Sequence, residues 1–201
     1  MDLTKNILMD FNIQHQESYS RGQLILRLFF GWLYIAIPHA FCLFFLGFLS
    51  GGVQILAFWI IMFTGKFPQN FFNFQLSVLR WSTRVNASLL NLMDPYPEFG
   101  YEVNQEGMTL DIPYQEEVSI SDVFLRAFLG GLYVGIPHVF CLLFRSIASN
   151  ILIFISFWTV LFTRKYPASW HEFNVGTLRW SIRVNAYLSY LIHDYPPFSG
   201  K

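Results

Sequence analysis

Two histidines and two cysteines sit at helical spacing in the most apolar parts of this chain: His39 with Cys42, and His138 with Cys141. A separation of three residues places both side chains on one face of a helix. If the two segments pack side by side, two imidazoles and two thiolates match tetrahedral zinc ligation, and the imidazoles alone could grip a haem from both sides. Ionisable groups inside a membrane segment carry functional weight by default. The same residues also fit a structural role. Each histidine follows a proline, Pro38 or Pro137, whose ring frees the carbonyl four residues upstream, and a histidine can satisfy such a group. Cysteine, for its part, is a small hydrophobe in most helices.

The second recurrent constellation is basic. Arg80 and Arg84 flank Trp81, and Arg179 and Arg183 flank Trp180. Arginines one helical turn apart beside tryptophan can hold lipid phosphates or the acidic side chains of a partner. Alternatively they anchor a helix by snorkelling. Arg27 and Arg126, one turn into apolar runs, read as snorkelling residues too. Catalytic patterns are otherwise missing: there is no GxSxG, HExxH, CxxC or phosphate-binding glycine loop. No carboxylate falls inside an apolar run, so intramembrane acid–base or proton-pumping chemistry lacks its usual parts. The expectation is a non-enzyme without a cofactor.

The elements that must position these residues follow from composition and from a repeat. Of 201 residues, 54% are hydrophobic, 19% aromatic and only 13% charged, half the charge of an average soluble domain at about 25%. That argues against a soluble enzyme, against disorder and against a nucleic-acid binder. Thirteen basic and thirteen acidic side chains cancel. The chain then repeats itself at an offset of 99 residues: Ile37-Pro38-His39 returns as Ile136-Pro137-His138, and Leu79-Arg80-Trp81-Ser82 as Leu178-Arg179-Trp180-Ser181. Tyr96-Pro97 and Phe99 return as Tyr195-Pro196 and Phe198. Such self-similarity marks a duplication.

Each copy reads as the same series of parts. A short segment of alternating polarity comes first, Ile7 to Ile13 or Met108 to Tyr114, as in a half-buried strand. A two-helix transmembrane hairpin follows over about 24–64 and 123–163, with its break at Gly47–Gly52 or Arg145–Asn150. An amphipathic helix over about 69–92 or 169–191 closes the unit and suits the membrane interface. The predicted architecture is therefore mainly α and integral to the membrane. It comprises four spans in two parallel repeats, 1–100 and 101–201, with a small cytoplasmic β element in which the two strand segments pair. With both hairpins entering from one side, twelve of the thirteen Lys and Arg residues lie on that side and Arg145 alone at a tip, which places both termini and the linker in the cytoplasm. Residues 1–23 are polar and do not read as a signal peptide. The linker from Asp94 to Asp122 carries eight of the thirteen acids.

These residues resemble a known family. A Pro-His in the first span, the Phe-Thr-(Gly/Arg)-Lys-(Phe/Tyr)-Pro exits, Leu-Arg-Trp-Ser-x-Arg-Val-x-Ala and a closing Tyr-Pro-Pro-Phe are similar, once per repeat, to domain of unknown function 4389. The first copy departs at Pro95 and Glu98, while His193-Asp194-Tyr195-Pro196-Pro197-Phe198 is closer. The resemblance implies a bacterial inner-membrane protein and names no catalytic residue. From the residues themselves, the leading expectation is an accessory or scaffold subunit of a larger membrane complex, in contact with the lipid bilayer and other membrane subunits. The alternatives are a lipid-handling protein using the paired arginines, and a small haem or metal redox subunit using His39 and His138.

Overall fold

The computed structural model describes residues 9–101 and 105–201. Ile7, which opens the first alternating segment, and Lys5, one of the twelve basic residues counted on the cytoplasmic side, lie outside the described residues. In chain order the elements are β1 (Asp10–Ile13), α1 (Arg21–Thr64), α2 (Gln69–Leu89), β2 (Met108–Asp111), α3 (Ile120–Thr163) and α4 (Ala168–Leu188).

α1 and α3 correct the hairpin expectation. Each is one continuous helix of 44 residues, long and apolar enough to cross a membrane, with a mean hydropathy of 2.0 in its most apolar window. There are two such helices among the described residues, not four spans. Glycine costs a helix about 1 kcal/mol relative to alanine but keeps its N–H, so Gly47, Gly51 and Gly52 leave the hydrogen-bond ladder intact. The polar residues that read as turn signals bond sideways instead. The Ser50 hydroxyl donates to Gln75 Oε1, and Gln75 Nε2 returns a bond to the Ser50 carbonyl at 2.8 Å. In the second copy the Ser149 hydroxyl bonds Asn174, and Arg145 Nε donates to Thr177 Oγ1 at 3.0 Å. The helices end where Gly65 and Arg164 turn left-handed, with φ of 69° and 61°. Pro68 and Pro167 follow.

The real irregularity lies elsewhere. A π-helical turn occupies Trp32–Ala36 and again Gly131–Gly135, just ahead of Pro38 and Pro137. Proline removes one rung of the ladder, and a wide turn is a common accommodation.

The two long helices run antiparallel. Arg21, at the start of α1, donates to the Phe162 carbonyl at the end of α3 at 2.6 Å. At the opposite end the Val118 amide, just before α3, donates to the Gly65 carbonyl at 2.9 Å. α2 folds back along the middle of α1, with Trp81 meeting His39 and Gln75 meeting Ser50, and α4 does the same on α3. On the far side of α2 and α4 lies the antiparallel ribbon of β1 and β2, paired Phe11 to Leu110 and Ile13 to Met108. The strand pairing expected from the alternating segments is present. Phe11, Ile13, Leu110 and Ile112 point into the core and their neighbours outward, as period two requires. α2 and α4 are thus a middle layer with both faces covered rather than free amphipathic helices at an interface.

The copies also exchange their leading segments. Arg80 of the first repeat holds the Leu110 carbonyl of the second repeat's strand at 2.7 Å, while Arg179 holds the Phe11 carbonyl of the first at 3.2 Å. The Tyr19 amide reaches the Arg164 carbonyl just as Val118 reaches Gly65. Neither repeat closes its own core, so the duplication forms a single body.

His171, 2% exposed, sits at the seam where α4 starts. Its Nε2 lies 3.0 Å from the Leu92 carbonyl, and its ring meets His15 edge-on at 5.1 Å. Burial, with His15 adding to it, pushes its pKa below the ordinary 6.5. The folded value therefore lies below the unfolded one, so its contribution is complete above about pH 6.5 and is lost as the pH falls from there towards the folded value. We expect the melting temperature in detergent to fall between pH 7.5 and 5.5, and to fall measurably less in H171Q, whose amide still donates to Leu92.

Candidate functional site

The four residues singled out as metal or haem ligands are not brought together. His39 and His138 each belong to a separate, locally built clasp, and among the described residues no three His, Cys, Asp or Glu side chains form a group that could hold a metal. Cys42 is half-buried against Ile35, Trp81 and Val85, and Cys141 is packed against the main core. Both act as small apolar side chains.

The clasp starts from the backbone. Because Pro38 has no N–H, the carbonyl of Tyr34 loses its helical partner. The Tyr96 hydroxyl supplies the replacement, donating to it at 3.0 Å. His39 Nε2 lies 3.2 Å from the same hydroxyl, and Trp81 Nε1 donates to His39 Nδ1 at 2.9 Å. Since the indole can only donate, Nδ1 is the acceptor and the proton is assigned to Nε2. A directed chain results: indole to imidazole, imidazole to phenol, phenol to carbonyl. Phe99 lies flat on the imidazole with ring centres 3.9 Å apart, and His39 is wholly buried. The second copy repeats the arrangement, with Trp180 on His138 at 2.8 Å, Tyr195 on the Tyr133 carbonyl at 3.1 Å and Phe198 stacked at 4.0 Å. It differs in one bond, because His138 Nε2 has no hydrogen-bond partner. The histidine was expected to satisfy the proline-freed carbonyl. Tyrosine does so directly, and the histidine acts through it.

The arginines serve the same segments. Arg27, buried rather than snorkelling, donates to the carbonyls of Met93 at 2.6 Å, Asp94 and Pro95. Arg126 bonds the carbonyls of Ile192 at 2.7 Å and His193 at 2.6 Å, with its guanidinium 3.7 Å over the Tyr187 ring. Arg84, fully buried, reaches the carbonyls of Glu98 and Gly100. Arg80 adds an ion pair to Asp111 at 2.8 Å. Arg179 bonds Glu172 at 3.1 Å and the Gly200 carbonyl at 2.7 Å, and Arg183 bonds the Lys201 carbonyl. The residues following α2 and α4, 93–100 and 192–201, are therefore straps tied down by arginine at both ends and by a tyrosine between, joined to a Tyr–His–Trp chain in the first copy. The second strap passes so close to α4 that a Cβ on Gly200 would stand 2.6 Å from the Gly176 carbonyl. Neither Tyr96 nor Tyr195 was expected in a site. The signal for their true role was the return of Tyr-Pro-x-Phe together with Pro-His at one offset.

Y96F removes a hydroxyl that serves two buried groups, and an unsatisfied buried group costs about 1–3 kcal/mol. Y195F removes a hydroxyl bonded to the Tyr133 carbonyl alone within its clasp. Thermal unfolding in detergent should show the larger loss for Y96F, and W81F combined with Y96F should be less than additive because both act on one chain. Equal losses for Y96F and Y195F would contradict the bond assignment.

Searches of curated proteins and of solved structures return no match to the chain. The family model described as "Domain of unknown function (DUF4389)" matches it twice, over residues 21–100 and 122–200. Each match carries one Pro-His turn, one Arg-Trp helix and one Tyr-Pro strap. The chain belongs to the DUF4389 family, as a tandem pair of that domain.

Proposed function

We propose that this chain is a non-catalytic protein of the bacterial inner membrane, with its termini and ribbon on the cytoplasmic face, that serves as an accessory or scaffold subunit of a larger membrane assembly. One observation carries the reading. The histidines and arginines described above are engaged with side chains and carbonyls of this chain, and the exposed faces of the two long helices are apolar. Phe44, Phe48 and Phe63 on α1 are 71%, 81% and 82% exposed, and α3 presents Phe128, Phe154 and Phe162 in the same way. A continuous apolar surface of this kind is stabilised only by lipid or by another protein.

The arrangement gives no support to the paired-arginine reading of lipid handling, because Arg80, Arg84, Arg179 and Arg183 are turned onto carbonyls and carboxylates of this chain. The haem reading fares no better, since an indole N–H on Nδ1 assigns the proton to Nε2 and leaves that nitrogen no lone pair for iron.

Purification from native membranes in a mild detergent should yield the chain with one or a few proteins in fixed stoichiometry. A monodisperse monomer that copurifies with nothing, across detergents, would refute the subunit role.

A further inference from the structure

We infer that the two long helices do not cross the bilayer but lie along it, sunk side-on into the acyl-chain region of one leaflet. This rests on the membrane reading above and specifies how the chain sits there.

Length is the first argument. A helix of 44 residues spans about 66 Å at 1.5 Å per residue, against roughly 30 Å of hydrocarbon. Burying its whole apolar length in a crossing orientation would need a tilt near 60°, where known spans reach about 40°.

The second argument is the level of the polar layer. Trp81 meets His39 near the midpoint of α1, and its neighbour Arg80 carries the ion pair to Asp111, whose side chain is 71% exposed. Trp180 likewise meets His138 near the midpoint of α3, beside Arg179 and the 64% exposed Glu172. Standing the helices upright would put these carboxylates and the ribbon at bilayer mid-depth, where one charged side chain costs about 2.5–3.5 kcal/mol even on the most lenient scale. Laid flat, the same charges sit a full helix layer above the lipid.

Direction is the third. Because α1 and α3 are antiparallel, crossing would put Arg21, Arg164 and Lys165 at one membrane face and Lys66 at the other. Flat helices keep all of them on one face, so no basic side chain has to be carried across the bilayer. The fourth is the exposed stripe itself. Phe29, Leu33, Ile37, Phe44, Phe48 and Phe63 mark one side of α1 from end to end, and all are at least half exposed. Its single charged residue beyond Arg21, Arg27, is turned inward. A crossing helix needs apolar surface only across the hydrocarbon; this one exposes apolar side chains along its whole length.

The test uses the full chain reconstituted in vesicles of phosphatidylethanolamine and phosphatidylglycerol. In a C42A/C141A background, spin labels are attached at F29C, F44C and F63C, the start, middle and end of the stripe. Side-on embedding predicts one common depth, about 5–10 Å below the headgroup boundary. A label at F44C deeper than the other two by about a helix diameter, roughly 10 Å, or labels at F29C and F63C reached by impermeant reagents from opposite faces, would overturn the inference. Unmodified protein in aligned bilayers gives an independent reading. Because α1 and α3 run antiparallel, the circular dichroism band polarised along their axes should be strong with both lying in the membrane plane and much weaker if they stood upright. Failure of the protein to float with the vesicles would overturn the membrane reading along with this one, whereas unequal depths would overturn this one alone.

Discussion

The structure turns on a carbonyl with no partner. Pro38 and Pro137 each strip one N–H from a helix that must otherwise satisfy its own backbone. The oxygens of Tyr34 and Tyr133 are left to be capped from outside, and the caps come from Tyr96 and Tyr195, 62 residues along the chain. For a phenol to arrive there, a strap must be laid across the helix. The strap needs arginines to hold its ends and a phenylalanine over a histidine that a tryptophan orients, and in the first copy that histidine also bonds the phenol. These features recur because they solve one problem together. A missing hydrogen bond in a long apolar helix is capped by side chains the rest of the fold must deliver.

A second constraint unites the two copies. A single repeat would leave its strand without a partner and its helix exit without a lid, since a two-stranded ribbon is marginal without packing beneath it. Exchange of the leading segments gives each strand the other's edge and each helix exit the other's amide, as Tyr19 on Arg164 and Val118 on Gly65 show. The isolated bridge between Lys66 and Glu117, backed by the Lys66–Glu116 ion pair at 2.7 Å, closes one of these corners.

What could be read from the sequence was local. The duplication, the helices at 69 and 168 and the alternation that pairs Phe11 with Leu110 depend on periodicity within a few turns, and the structure has them. The hairpin at Gly47–Gly52 was misplaced because a residue that bonds a neighbouring helix looks the same in one dimension as a residue that ends its own. Ser50 and Ser149 are of the first kind. The histidines suggested a shared ligand site because their partners, at 42 and 57 residues' distance, cannot be seen along one helix face. Exchange was invisible for a different reason. When both copies carry the same motif, pairing within a copy and pairing across copies predict the same residues.

The arginines show why the fold uses carbonyls rather than carboxylates as their main partners. Only three ion pairs occur among the described residues, and each has a well-exposed acid. The buried guanidiniums of Arg27 and Arg126 face backbone oxygen instead. Burying a second ion to neutralise the first carries a desolvation cost that attraction often fails to repay, whereas a carbonyl brings a dipole without a charge. The straps present such carbonyls in abundance, because their prolines supply no N–H and their extended backbone makes no ladder. A guanidinium, with five donors in a fixed fork, can serve two or three successive carbonyls at once; an ammonium on a flexible stem cannot hold that geometry. Strap and arginine therefore require each other, and the proline-rich ends of the repeats stay ordered against the helices without a secondary structure of their own.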